Sequence, residues 1–470
     1  MPYEVSKQPP PPPQKYAVGY GWWDEYKHSV QVLPHERIER YVPGRFHPVA
    51  LGDTFHNGRY TVRNKLGHGG FSTRIILQCA RLISRRRWTS LKIKQAYVST
   101  TSLDDDKEVR ALRVLEQNYV SSNSSSPPCF ARLLDSFHHH GPNGTHTCVV
   151  TELLGPTLFH LVANYNDYQI QELFRPDTIL RASRQLLEAI HMVQEYGIVH
   201  GGIVYISSGN VAFTCYQLLE NDDELEEIPG GDPIVAEYTA TEPLPSHLPK
   251  HIVSAASWNG WYDYAMEDVR LVDWGESFPT SQTATATHLA QPCDLKSPET
   301  FFVGSVDYRH DLWRVGCMIY TLFHQRSPFG FSSCDAKDIQ KQTQVIGPLP
   351  PKWHTMWLKL IEESPKYEPL PDNALKRLDQ SFEPRRLAII SHAEKTYESD
   401  DDEYHVKDDY EALTCLLSVM EGLMQHDPEK RSFAQEAAAK IQWHDYRRDL
   451  GSDVSEEDVT ESEEEQESDS

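Results

Sequence analysis

Leu66-Gly67-His68-Gly69-Gly70-Phe71-Ser72-Thr73 lies between two short runs, Arg59 to Leu66 and Phe71 to Leu77, that read as β-strands. Glycines in such a hairpin let the backbone approach a ligand closely and point N–H groups at phosphate oxygens. A dinucleotide fingerprint would open into a helix, whereas this loop opens into a strand. Working outward, Thr89 to Ala96 reads as the next strand and carries Ser90-Leu91-Lys92-Ile93. Lys94 lies two residues on and shares the face of Lys92. Lys107-Glu108-Val109-Arg110-Ala111-Leu112 follows as a helical stretch, and Thr147 to Glu152 as another strand.

Beyond this point helices dominate. Asp177 to Tyr196 reads as a helix with Ile179, Leu186, Leu187, Ile190 and Val193 on one face, Pro176 at its start and Gly197 at its end. Leu312 to Phe323 is apolar nearly all round, as a buried central helix would be. Tyr410 to Gln425 carries one apolar stripe through Leu413, Leu416, Leu417, Met420, Leu423 and Met424. Between them stand Val199-His200-Gly201-Gly202, Gly209-Asn210-Val211, Val272-Asp273-Trp274-Gly275, Ser297-Pro298-Glu299, Asp311-Leu312-Trp313 and His426-Asp427-Pro428-Glu429-Lys430-Arg431. An aspartate after an apolar strand, such as Asp273, can coordinate Mg²⁺. Strands first and helices later give an α+β arrangement with a cleft between unlike lobes.

The 470 residues carry a net charge of −24. That charge argues against general nucleic-acid binding and favours a basic partner or simple solubility. No stretch approaches the roughly 18 apolar residues of a membrane helix, and no signal peptide precedes the fold, so cytosol or nucleus is the expected compartment. The eight cysteines have no metal-ligand spacing and read as reduced thiols. His138-His139-His140 reads as a loop. Pro9 to Pro13, Glu220 to Pro249 and Ser452 to Ser470 read as a linker, an inserted surface segment and a disordered acidic tail.

Taken in order, the motifs resemble those of a eukaryotic protein kinase. Tyr41-Val42-Pro43-Gly44-Arg45-Phe46-His47-Pro48-Val49, then Leu51-Gly52-Asp53, is similar to the lead-in of SR-protein kinases (SRSF protein kinases), as are the glycine loop and Glu152-Leu153-Leu154-Gly155. Val199-His200-Gly201 and Asp273-Trp274-Gly275-Glu276-Ser277 are similar to a fungal-type branch. The resemblance runs from about Arg40 to Trp443. It implies a bilobal kinase fold: a Pro-rich extension at 1–39, a β-rich N-lobe at 40–152, a helical C-lobe at 153–445 with an insert at about 215–268, and an acidic tail at 446–470. It implies phosphorylation of serines in Arg/Ser-rich, splicing-factor-like proteins with ATP and Mg²⁺. By motif, Leu66, Gly67, Gly69 and Ser72 cover the nucleotide and Lys92 holds its phosphates. Glu108 orients Lys92, Glu152 and Leu154 lie at the adenine hinge, and Asn210 and Asp273 hold Mg²⁺. Glu299, Asp311 and Arg431 are structural. A monomer without direct nucleic-acid or membrane contacts is expected.

Two positions depart from the pattern. Gly202 stands where the catalytic aspartate belongs, and no Asp or Glu lies between His200 and Asn210. Such a base is worth about 10²–10⁴ in rate, so the alternative reading is a pseudokinase that holds ATP or a basic partner without efficient transfer. Arg74 replaces the small β-branched residue that packs over adenine, and the stretch to Arg87 fits poorly. A wrongly joined coding sequence would account for both, and sequencing the transcript across them tests that.

Overall fold

The computed structural model describes residues 26–27, 35–83, 86–122, 127–166, 172–201, 208–216, 228–263, 267–286, 295–332, 334–364, 367–372, 374–396 and 403–443. The polyproline run, Trp22 and Trp23, Gly202 and the acidic tail lie outside them.

A short strand, β1 (Tyr26–Lys27), precedes the main sheet. That sheet comprises β2 (Thr54–Phe55), β3 (Tyr60–His68), β4 (Ser72–Ile83), β5 (Arg86–Lys94), β6 (Leu133–Gly141) and β7 (Gly144–Glu152). The order is β2-β3-β4-β5-β7-β6, antiparallel throughout. One face buries Phe55, Tyr60, Ile75, Leu91, Ile93 and Val150 in a compact cluster, while Ile76 and Val149 join the larger core shared with the helices. This alternation is what a period of two requires of a sheet covered on both faces. His138, His139 and His140 therefore sit in β6, not in a loop. The Gly141–Gly144 turn registers them against Thr147, His146 and Thr145.

Helix α1 (Lys107–Ser121) packs beside the sheet. Asp106 caps it, accepting from the Glu108 and Val109 N–H groups at 3.1 Å each. After α2 (Leu158–Tyr165), α3 (Pro176–Glu195) opens with Pro at its first position and ends before Gly197 at φ 76°. Then come the short β8 (Ile198–Val199) and β9 (Val211–Phe213). In the chain between β9 and Asp273 lie β10 (Val235–Tyr238), β11 (His251–Val253) and β12 (Val269–Leu271), the last paired with β9. Helix α4 (Pro298–Phe302) leads to α5 (Arg309–His324), which is buried from His310 to its end. Helix α5 packs on α3, so the sequence-predicted central helix is the hub of the helical region. Among the described residues no helix is long and apolar enough to cross a membrane.

The stripe from Tyr410 to Gln425 is divided between two helices, Glu403–Ala412 and Cys415–Leu423. At the break the Thr414 N–H and hydroxyl both bond to the Glu411 carbonyl, at 3.0 and 2.6 Å. Such local bonding competes with the i→i−4 ladder.

The insert does more than cover the surface. Strands β10 and β11 join β1 in a three-stranded sheet, over a cluster of Tyr26, Ile38, Tyr41, Phe46, Ala236, Leu248 and Ile252. Lys65 of β3 is buried; its ammonium pairs with Glu36 and donates to the Val253 carbonyl at 3.0 Å. The Ala256 N–H returns a bond to the Lys65 carbonyl at 2.8 Å. Farther along, Asp263 accepts from Arg181 of α3 at 2.8 Å, and the Trp261 indole donates to the Thr214 carbonyl at 3.1 Å. One segment thus bonds to the main sheet at one end and to the helical region at the other.

Candidate active site

A cavity of about 920 Å³ opens between the glycine hairpin and the helical region. Leu66, Gly67, Gly69, Ser72, Arg74, Lys92 and Glu108 line it from the sheet side; Asn210, Ala212 and Asp273 line it from the other. Thr151, Glu152 and Leu154 form the edge where the chain leaves β7. Every residue assigned by motif to nucleotide or metal therefore borders one cavity.

The glycine hairpin is held from outside. The Gly70 carbonyl accepts from Arg40 at 2.7 Å and from the Gln95 amide at 2.9 Å, and the Gln95 N–H donates to the Phe71 carbonyl at 2.8 Å. Arg40 also stacks over Phe46, 5.0 Å from its ring centre. Gly67 takes φ 152°, where a side chain would be strained.

Lys92 is the electrostatic centre. Its ammonium lies 2.8 and 2.9 Å from the Glu108 carboxylate oxygens and 2.7 Å from Asp273 Oδ1. Lys94, the neighbouring candidate, pairs instead with Asp106 at 2.7 Å and reaches Glu108 at 3.1 Å. Both lysines share a face, and the Asp106 cap sets the first turn of α1 against them. Burial pushes Glu108 upward, yet Lys92 and Lys94 outweigh it and hold it below its ordinary carboxylate range. Burial likewise opposes ionisation of Asp273, and Lys92 with Arg74 overcomes that and keeps it far below the usual value. Asp273 holds φ 72°, an uncommon backbone state of the kind found at functional sites.

Asn210 is buried on the same cavity, and its side-chain amide nitrogen has no hydrogen-bond partner among the described residues. Its main-chain carbonyl accepts from the Val272 N–H at 3.0 Å, which fixes the residue beside the Asp273 segment. A carboxylate and a side-chain amide are hard oxygen donors, the set that suits Mg²⁺. Glu152 is buried, and its carboxylate accepts from the Arg132 N–H at 2.9 Å.

The frame behind the site is assembled. Asp311 accepts from the N–H groups of His200 and Gly201 at 2.8 and 3.2 Å. His200 packs 4.2 Å from Trp274, ring centre to ring centre, and burial lowers it to about 4, so it is neutral. Gly201 takes φ 57°, and an added Cβ would lie 2.5 Å from the Phe278 ring. Glu299 and Arg431 form a buried two-pronged pair at 2.6 and 2.8 Å.

Sequence reading missed Asp106, Glu36, Arg40 and Gln95. Asp106 was legible as a cap, since it directly precedes a helical run. The other three act through contacts between distant segments and leave no local signal.

Hairpin, lysine–glutamate pair and aspartate thus meet on one cavity, and the chain is similar to serine/threonine protein kinases, SR-protein kinases among them, a resemblance that supports a protein-kinase enzyme. It is 27% identical over 346 residues to a serine/threonine protein kinase of Aspergillus fumigatus, covering 72% of this chain and 76% of that protein. It is 33% identical over 168 residues to the protein kinase dsk1 of Schizosaccharomyces pombe, covering 35% of this chain and 29% of dsk1. It is 36% identical over 130 residues to the human SRSF protein kinase 3, covering 27% and 21%. No protein-family model matches the chain.

Proposed function

We propose that this chain is a two-lobed serine/threonine kinase of the SR-protein-kinase type, transferring the γ-phosphate of ATP to serines in basic, Arg/Ser-rich proteins. The observation that carries this reading is the Lys92 ammonium bonded at once to Glu108 and Asp273 beneath the glycine hairpin. Phosphoryl transfer asks a protein chiefly for positioning and charge stabilisation. Lys92 supplies the cation for phosphate oxygens, Glu108 fixes it in place, and the hairpin N–H groups complete the cradle. Asp273 and Asn210 carry the oxygen donors a divalent ion would use, although the Arg74 guanidinium already stands 3.7 Å from Asp273 Oδ2. The similarity to SRSF protein kinase 3 and dsk1 and the net charge of −24 support a basic substrate.

A second reading is favoured by one specific observation. Gly202 replaces the aspartate that would take the proton from the substrate hydroxyl, and the chain offers no carboxylate from there to Asn210. On that reading the chain is a pseudokinase that retains nucleotide and a basic partner. The test is ³²P transfer from ATP to an Arg-Ser repeat peptide, beside an Asp273→Ala control. Transfer that the control abolishes supports the kinase. Absence of transfer with ATP binding intact selects the pseudokinase.

A further inference from the structure

Arg74 stands directly opposite Lys92 in the β4–β5 register, so the two side chains project from the same face of the sheet into the cavity. Two cations placed so repel each other unless an anion lies between them. Here the anion is Asp273. Its Oδ1 meets the Lys92 ammonium at 2.7 Å, and its Oδ2 faces the Arg74 guanidinium at 3.7 Å. Lys92 is already spent on Glu108 and Oδ1. The Oδ2 side is therefore where a divalent ion would be held, and Arg74 is the cation found there.

The spacing leaves little room for both. Mg²⁺ binds carboxylate oxygen at about 2.0–2.1 Å and keeps several of its waters. A guanidinium nitrogen 3.7 Å from the same oxygen stands inside that water shell. Arg74 is also equipped for phosphate. Its guanidinium makes no hydrogen bond among the described residues, and its side chain is 28% exposed. The guanidinium's N–H donors are thus open to a ligand, in the planar fork that matches phosphate oxygens two at a time. Gly67, its cross-strand neighbour on β3, has no side chain, and an added Cβ there would meet nothing within 4 Å. The path from Arg74 to the hairpin's phosphate cradle is open.

We propose that Arg74 takes the place of the divalent cation in this cleft, so that the nucleotide's phosphates are held without Mg²⁺. This rests on the nucleotide-binding half of the proposed function, which the kinase and pseudokinase readings share. It gives Arg74, where the resemblance implies a small β-branched residue, a role in charge neutralisation.

The experiment is calorimetric titration of ATP into the full chain, once with excess MgCl₂ and once with excess EDTA. The wild-type protein is expected to bind ATP in both buffers, with dissociation constants within about threefold of each other. Arg74→Val is expected to lose about 10- to 100-fold in EDTA, the weight of a charge-assisted hydrogen-bond pair, and to recover most of that loss with MgCl₂. Arg74→Lys keeps the charge, and is expected to stay metal-independent with weaker affinity; it also serves should the valine variant not fold. Wild-type binding only in MgCl₂, or equal EDTA affinities for wild type and Arg74→Val, overturns the proposal while leaving the nucleotide reading intact. Absence of ATP binding by the wild-type protein in both buffers overturns the nucleotide reading and this inference together.

Discussion

Glu299→Ala is the sharpest test of how the helical region is held. Glu299 and Arg431 are 4% and 0% exposed at their side chains. The guanidinium donates to Glu299 Oε2 at 2.6 Å and Oε1 at 2.8 Å, to the Arg309 carbonyl at 2.8 Å and to the Gln425 carbonyl at 3.0 Å, and it lies 5.2 Å over the Trp313 ring. Removing Glu299 leaves a buried cation with two donors unpaired. Breaking a buried pair from one side costs about 3–5 kcal/mol, and that is the expected loss. Arg431→Ala strands the Glu299 carboxylate and two carbonyls, so its cost should be at least as large. The double variant leaves no orphaned charge, and its cost should fall short of the sum by up to about 3 kcal/mol. Urea unfolding followed by tryptophan fluorescence measures all three, with buried Trp313 as a local reporter. A loss below about 1 kcal/mol for Glu299→Ala, or additive costs in the cycle, would refute the claim that this pair ties α4 to the end of the fold.

Three further expectations are independent of that pair. Lys92→Met removes the cation shared by Glu108 and Asp273; phosphate transfer should fall by about 10²–10³, and unchanged transfer would sink the assignment of Lys92. Gly201→Ala forces a side chain into φ 57° with contacts of 2.5 Å to Phe278 and 2.9 Å to the Glu276 carbonyl; the left-handed strain and overpacking together should cost about 2–5 kcal/mol in the same urea assay. Glu267 is pushed up to about 7 by burial, although it accepts from the Thr214 hydroxyl and the Tyr216 N–H. The folded state therefore binds a proton more readily than the unfolded one. Its contribution is fullest below pH of about 4.5 and is lost as pH rises to about 7, a change of about 3 kcal/mol that Glu267→Gln should flatten.

What was legible in the sequence follows from range. The glycine hairpin was readable because its strands and turn are local, though β3 runs two residues past the limit read, to His68, and β4 six residues past it, to Ile83. Helix α3 was readable because apolar spacing, Pro176 and Gly197 agree. Strand β6 was missed: three successive histidines obscure its alternation, and its turn, Gly141-Pro142-Asn143-Gly144, was the available signal. The site residues could be named only through the order of motifs, since nothing local in Lys92 or Glu108 foretells their pairing. Arg74 was noticed as an intruder, but its approach to Asp273 depends on how sheet and helical region meet, which no spacing encodes.

The assembled state of the cleft calls for a cause, because Lys92 and Asp273 come from different halves of the molecule. Their contact survives only if sheet and helical region stay in register. The segment between β9 and Asp273 supplies that constraint. Its Val253 carbonyl accepts from buried Lys65 of β3, whose ammonium also pairs with Glu36 of the lead-in, and farther along it is bonded to α3 through Asp263. Asp273 itself follows β12, which is paired with β9. A segment fixed at both ends resists opening in proportion to the bonds that must break. Those at Lys65 and Asp263 are charge-assisted and buried, the kind whose loss is dearest. The bond at Gly70 works the same way at closer range, since Arg40 holds the hairpin from the lead-in. The lead-in and the insert, which carry none of the catalytic motifs, thus hold the parts that do.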